Sequence, residues 1–232
     1  MSPNENQLKT AAAESAAAQV TDGMIVGLGS GSTAALAVSA LGRRVREGLR
    51  IVGIPTSEST AAQARALGIP LTSLADESQI DMTIDGADEV EEGSLNLIKG
   101  RGGALLREKI VANASKRLVI VIHDSKRVSR LGVGEPVPVE VVPFGWLATA
   151  RRLSDLGAKP LLRRDANGAP FMSDGGHYIL DCGFEPIASP ESLARRLDHV
   201  VGLVEHGLFI GMTSEVHVAG AGGVRVLTVR PS

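Results

Sequence analysis

Aromatic side chains are scarce in this chain of 232 residues: one tryptophan, one tyrosine and four phenylalanines make 3%, although 44% is hydrophobic. Its core must therefore be built from Val, Ile, Leu and Ala, residues that suit parallel strands covered by helices on both faces. There is one cysteine, Cys182, which cannot form an internal disulfide and fits a reducing, cytoplasmic setting. Neither sign of charge is in excess, since 24 Lys and Arg stand against 26 Asp and Glu for a net charge of −2. With no block of like charges either, no electrostatic footprint for nucleic acid is expected. No apolar run approaches the roughly 20 residues of a membrane span. The start, Met1 to Asn6, lacks the basic region of a secretory signal, and Glu14 and Ser15 interrupt the alanine-rich run behind it. The length is enough for one large domain or two modest ones.

What is present is an alternation of short apolar strands and helix-forming runs. Gln7 to Val20 reads as a helix stopped at Thr21-Asp22-Gly23, followed by a strand over Met24–Val26 and a helix over Ala34 to Leu41. Ile51–Ile54 is the next strand, Ser59 to Leu67 the next helix, and Ile80–Ile84 and Leu118–Ile122 are further buried strands. Such spacing implies right-handed crossovers and a parallel α/β sheet flanked by helices. The texture changes near Gly132, where Gly134-Glu135-Pro136-Val137-Pro138 punctuates the chain like a linker. A strand over Val139–Val142 and a helix over Trp146–Leu156 are expected next. Extended pieces near Phe171 and at Tyr178–Leu180, a helix near Leu193–Leu197 and a strand at Val200–Val204 complete a small inserted α+β subdomain. Glu215 to Val229, broken by Gly220-Ala221-Gly222-Gly223, reads as a hairpin.

Two glycine-rich loops carry the chemistry. Gly27-Leu28-Gly29-Ser30-Gly31-Ser32-Thr33 joins a strand to a helix, where free N–H groups favour an anion and the three hydroxyls add donors. A dinucleotide loop would have glycine where Ser32 stands and an acid at the end of the second strand, where this chain has Thr56-Ser57. No Gly-Lys-Ser/Thr follows to make a nucleotide triphosphate loop. A plain tight turn would need glycine alone, so the hydroxyls favour a phosphate cradle.

The second stretch runs from Asp85 to Lys109. Asp85, Gly86 and Asp88 lie where the strand Ile80–Ile84 would run out, the edge at which open α/β sheets hold ligands. Lys99, the turn Gly100, Gly102 and Gly103, and a helix from Ala104 through Glu108 to Lys109 follow. Taken singly these are bland. Strand-end aspartates cap turns, and a Glu between Arg107 and Lys109 ordinarily faces solvent. Asp85 and Asp88 with Glu89, Glu91 and Glu92 would suit a metal, but no histidine is near and Lys99 would compete with a cation. Together, carboxylates, an ammonium and a glycine turn within about 25 residues resemble an acid–base site with an oxyanion partner. Lys126, just past Leu118–Ile122, points to the same sheet edge; nothing local places Lys9.

Gly27–Thr33, Asp85-Gly86-Ala87-Asp88-Glu89, Lys99-Gly100-Arg101-Gly102-Gly103-Ala104, Arg107-Glu108-Lys109 and Asp124-Ser125-Lys126 stand in the order and separations of one known family. The chain resembles type A ribose-5-phosphate isomerases from about Leu8 to the final hairpin. The resemblance implies a Rossmann-like domain over 1–134 and 208–232, and a ferredoxin-like subdomain over 135–207. It also implies no metal or organic cofactor, a small sugar phosphate as substrate, and a homodimer or homotetramer. By that resemblance Glu108 is the general base, and Asp85, Asp88 and Lys99 surround the reacting C1–C2 end. Lys9, Ser32, Thr33 and Lys126 hold the phosphate end or line the pocket, with Gly29, Ser30, Gly31, Gly100, Gly102 and Gly103 as the loops around the substrate and Ser57 in a loop near it. Two residues depart from the family's pattern: Arg101 after Gly100, and His123, where a smaller residue is expected. The unrelated type B isomerases use a cysteine in different motifs, which Cys182 does not match. Two rivals remain, a sugar-phosphate-sensing domain of a transcription regulator and an aminosugar-phosphate deaminase. The first would want a DNA-binding segment before Met24, and the second a histidine near the site. No helix-turn-helix precedes Met24, and the stretch from Asp85 to Lys109 holds no histidine.

Overall fold

The computed structural model describes residues 3–228. Met1 and Ser2, Val229 at the expected end of the hairpin, and residues 230–232 lie outside the described residues. The elements run α1 (Glu5–Ala17), β1 (Ile25–Leu28), α2 (Ser32–Arg46), β2 (Val52–Pro55), α3 (Glu58–Ala66), β3 (Met82–Asp85), β4 (Glu89–Glu91), β5 (Leu97–Ile98), α4 (Leu105–Asn113), β6 (Leu118–His123) and β7 (Arg127–Val128). They continue with β8 (Val137–Val141), α5 (Trp146–Asp155), β9 (Lys159–Leu162), β10 (Tyr178–Gly183), α6 (Pro190–Leu197), β11 (Leu203–His206), β12 (Leu208–Phe209), β13 (Glu215–Gly220) and β14 (Gly223–Thr228).

The chain divides into two compact units, one of Met1–Ala87, Arg107–Arg127 and Met212–Ser232, the other of Asp88–Leu106 and Val128–Gly211. In the first, a six-stranded sheet has the order β14-β13-β6-β3-β1-β2. Its inner pairs are all parallel, and only the β13–β14 hairpin is antiparallel. Strand alternation sorts the faces. Val26, Leu28, Met82 and Ile84 join alanines of α1 and Val38 and Leu41 of α2 in one aliphatic core. Gly27 and Thr83 turn to the opposite face, where a Cβ on Gly27 would lie 2.8 Å from Cγ1 of Val111 in α4. The small residue there lets α4 approach. Helix α1 begins at Glu5, two residues ahead of the expected Gln7, because Asn4 and Gln7 form a reciprocal capping box.

The second unit holds a β8-α5-β9-β10-α6-β11 succession whose sheet order is β11-β8-β10-β9, with every neighbour antiparallel. That is the ferredoxin-like pattern. A second small sheet, β12-β5-β4-β7, has strands of only two or three residues, too short to leave a pattern in sequence. It explains why the division differs from the expected 1–134 with 208–232 and 135–207. β4, β5 and β12 pair with one another, and Ile98, Leu131 and Leu208 sit in the second unit's core beside Val139 and Leu180, so residues 88–106, 128–134 and 208–211 belong there. Near Phe171 the chain makes isolated bridges, Arg164 with Pro170 and Met172 with Tyr178, while the strand in that region is β9. Among the described residues no helix is long and apolar enough to cross a membrane.

Candidate active site

In the first unit the site residues gather at the carboxyl ends of parallel strands. β1 leads into the loop, and α2 starts at Ser32 with Gly31 as its N-cap at φ 90°, a left-handed conformation that favours glycine. No side chain caps this start. Gly31 and Ser32 are exposed and Thr33 is half-buried, so the unbonded amides at this helix start are open to an anion that docks there. Ser30 behaves differently from Ser32 and Thr33. Its N–H donates to Oδ1 of Asp85 at 3.1 Å, and its hydroxyl lies 2.7 Å from that of Thr56, 2.8 Å from that of Ser57 and 3.3 Å from that of Thr60. Thr56 and Thr60 in turn donate to the carbonyls of Leu28 and Gly29. The hydroxyls after β2 thus brace the loop; in sequence, Thr56-Ser57 showed that an acid was missing, and the resemblance put Ser57 in a loop near the substrate.

Asp85 ends β3, is 1% exposed, and accepts a second bond to the same Oδ1 from the N–H of Gly86 at 2.8 Å. Glu108 stands in the first turn of α4 and is 4% exposed, against the ordinary expectation for a glutamate between two basic residues. It precedes Val111 by three residues, hence lies on the same helix face one turn nearer the helix start. Val111 packs at Gly27, so Glu108 lies on the face that α4 turns to the sheet.

A second group assembles at the end of β6. Lys9 of α1 pairs with Glu5 at 2.5 Å, and Glu5 lies 3.7 Å from Nε2 of His123, with Lys126 in the turn just beyond. The hydrogen bond from Lys9 holds the Glu5 carboxyl below its usual range. Burial lowers the His123 pKa, Glu5 opposes this, and the charges of Lys9 and Lys126 add to the lowering. Packing of α1 against β6 is what brings Lys9 here, a placement without any local signal.

In the second unit Asp88 donates its N–H to the Ile98 carbonyl at 2.8 Å and accepts the Arg101 N–H on Oδ2 at 2.9 Å, closing the Lys99–Gly103 turn. Lys99 is 3% exposed, its N–H bonds the Gly207 carbonyl at 2.9 Å, and its ammonium lies 5.5 Å from the centre of the Phe209 ring. Gly100 and Gly103 both have positive φ, 104° and 80°, and the Gly103 N–H returns to the Gly100 carbonyl at 2.9 Å. Gly102 is exposed between them. Glu89 serves the fold: its buried carboxylate accepts the N–H groups of Gly132, Gly134 and Glu135 at 2.6–2.9 Å. Among the described residues no group of three or more His, Cys, Asp or Glu is placed to hold a metal ion. Arg163, to which nothing in the sequence drew attention, donates Nη1 to the carbonyls of Gly100 and Arg101.

The family model described as ribose 5-phosphate isomerase A (phosphoriboisomerase A) matches residues 52–223. The chain belongs to that family. It is similar to the ribose-5-phosphate isomerase A of Gloeobacter violaceus, 61% identical over 221 residues that cover 95% of this chain and 96% of the relative. The Synechococcus sp. ribose-5-phosphate isomerase A is 56% identical over 96% of this chain and 97% of its own length. Among solved structures, ribose 5-phosphate isomerase A of Methanocaldococcus jannaschii aligns with a TM-score of 0.92 at 40% identity, covering 95% of this chain and 98% of that one. A D-ribose-5-phosphate isomerase in complex with phospho-erythronic acid aligns with a TM-score of 0.94 at 37% identity, covering 97% and 100%. Membership in the ribose 5-phosphate isomerase A family agrees with the likeness drawn from the glycine loops and the Asp-Gly-Ala-Asp run. Members of the family at this identity share the α/β architecture seen here, a mostly parallel sheet flanked by helices.

Proposed function

We propose that this isomerase interconverts D-ribose 5-phosphate and D-ribulose 5-phosphate, with Glu108 carrying the proton between C2 and C1. The C–H acid beside a carbonyl is weak, so the barrier lies in forming the enediolate. A carboxylate held out of water and directed at the reacting carbon lowers it. The observation that supports this reading is the burial of Glu108 in the first turn of α4, on the helix face that packs at Gly27. Asp85, fixed by the Ser30 and Gly86 amides, shuttles the hydroxyl proton between O1 and O2, and Asp88 supports it from three residues on. Lys99, nine residues before Glu108, stabilises the charge that grows on oxygen, an effect typically worth about 3 kcal/mol per well-aimed donor. Ser32, Thr33 and the open start of α2, with Lys9 and Lys126, take the phosphate, which does not react but fixes C1 and C2 against the base. Phospho-erythronic acid, held by the related isomerase, is a sugar-acid phosphate whose carboxylate oxygens carry charge as the enediolate oxygens do.

A homodimer or homotetramer is supported by the exposed apolar residues Phe144, Leu147 and Val201 of the second unit, and a cytoplasmic setting by the lone Cys182. The test of the reaction is direct. The protein should form ketose from ribose 5-phosphate, and Glu108→Gln should lower kcat by about 10²–10⁴-fold with KM nearly unchanged. Near-normal turnover in that variant removes Glu108 from the role. No ketose from the unaltered protein removes the reaction itself.

A further inference from the structure

We infer that Arg163, tied to Asp181, is a positioning residue for catalysis: it holds the Gly100–Gly103 turn that sets the direction of Lys99. The inference rests on the role given to Lys99 above. Arg163 follows β9 directly, and its side chain is 14% exposed while that of Asp181 on β10 is 23% exposed. The guanidinium divides its donors between two jobs. Nε donates to Oδ2 of Asp181 at 3.0 Å, and the second nitrogen, Nη2, reaches Oδ1 of the same carboxylate, a two-point pair that fixes the plane of the fork. Nη1 is then directed at the turn and donates to the Gly100 carbonyl at 3.1 Å and the Arg101 carbonyl at 2.9 Å. Those carbonyls belong to the two residues that follow Lys99.

A second prong comes from the next stretch of chain. Phe171 donates its N–H to the Arg163 carbonyl at 2.9 Å, and its ring lies 5.8 Å from the Arg163 guanidinium carbon. The same ring occupies the space of the missing side chain of Gly103: a Cβ there would be 2.4 Å from Cε1 of Phe171. The turn is therefore gripped at its first half by a guanidinium and at its second half by a ring, both anchored on β9 and β10. Two glycines in left-handed conformations make the turn intrinsically free. An ammonium at its head has a defined direction only if something outside the turn supplies it. Lysine cannot replace the fork, because one ammonium cannot satisfy a bidentate carboxylate and two carbonyls together.

The test is a double-mutant cycle on kcat with Lys99→Ala, Arg163→Ala and the combined variant, and with Arg163→Lys as the conservative change. If Arg163 acts through Lys99, Arg163→Ala lowers kcat by about ten- to a hundredfold with KM changed by less than about threefold, as misplacement of a catalytic group does. Arg163→Lys recovers part of the loss, added guanidinium ion restores turnover to Arg163→Ala, and the combined variant is no slower than Lys99→Ala. Should Arg163→Ala fail to fold, Arg163→Lys and Asp181→Asn carry the same cycle. Wild-type kcat in the Arg163 variants overturns the inference, as does a combined loss equal to the product of the single losses. Wild-type kcat in Lys99→Ala overturns instead the role of Lys99, and this inference with it.

Discussion

A Cβ added to Gly29 would lie 2.3 Å from Oδ1 of Asp85 and 2.6 Å from the Asp85 Cα. The loop after β1 and the end of β3 thus share a space that only hydrogen leaves open, and the 3.1 Å bond from the Ser30 N–H to Asp85 depends on that closeness. A backbone atom is among the contacts, so no rotamer change relieves the crowding. Gly29→Ala should cost about 1–3 kcal/mol of stability, as overpacking does. It should also lower kcat by roughly a hundredfold, because Asp85 moves with its strand. Thermal melting and the ketose assay read the two losses, and an unchanged kcat would separate Asp85 from the chemistry.

Ser30 and Ser32 are two residues apart, and their substitution should have opposite consequences. Ser30 is bonded into the Thr56, Ser57 and Thr60 hydroxyls, whereas Ser32 is exposed at the helix start. Ser30→Ala should destabilise by about 1 kcal/mol. Ser32→Ala should leave the melting temperature alone and raise KM for ribose 5-phosphate about three- to tenfold, the worth of one hydrogen bond to a phosphate oxygen. A raised KM with Ser30→Ala alone would reverse the two roles.

Cys182 is fully buried on β10, and burial, helped by the neighbouring charge of Asp181, pushes its thiol pKa up to about 12. The thiolate is the reactive form, and at neutral pH almost none exists. A thiol reagent should therefore label the native protein far more slowly than the denatured one, in which the single cysteine reacts at once. Rapid labelling without unfolding would contradict the buried placement of β10.

His123 is held below its ordinary pKa of 6.5 chiefly by burial, which Glu5 opposes and Lys9 and Lys126 reinforce. Just below pH 6.5 the unfolded chain binds this proton and the folded protein does not, so stability falls there as pH is lowered. The contribution is complete above that value and is lost as pH descends toward the lowered pKa. Asp81, Asp124 and Glu215 are held low, with ordinary values of 3.8 to 4.5, so their contribution is lost only in more acid solution. Melting temperatures between about pH 7 and 5.5 should fall less steeply in His123→Leu than in the unaltered protein, since only the ring at this position is removed. Parallel profiles would show that His123 titrates alike in both states.

Much of the first unit was legible because its strands and helices are long enough to carry their periods. Leu118–Ile122 is wholly apolar, and α3 ends at Ala66, just before the expected stop at Gly68. The boundaries that moved did so for local reasons: the Asn4 capping box lengthened α1 at its start, and α2 runs to Arg46 because nothing in Gly42-Arg43-Arg44 breaks it. The strands β4, β5, β7 and β12 were invisible, since two or three residues cannot show an alternation and their pairing joins segments up to about a hundred residues apart. The division of the chain moved with them.

The chain's order of residues determined by itself which groups are present and how the local backbone turns. Glycines stand where left-handed conformations are needed, an uncapped helix start follows the first loop, and Glu108 is followed at three residues by Val111. Tertiary structure alone decided which of those groups lose contact with water and what holds them. Glu108 is buried because α4 lies on Gly27, Ser30 is bound to hydroxyls 26 to 30 residues away, and Lys9 reaches the end of β6 because α1 packs there. Local sequence limits backbone torsions, whereas burial and partnership depend on surfaces that distant segments bring together, and no neighbouring residue records them.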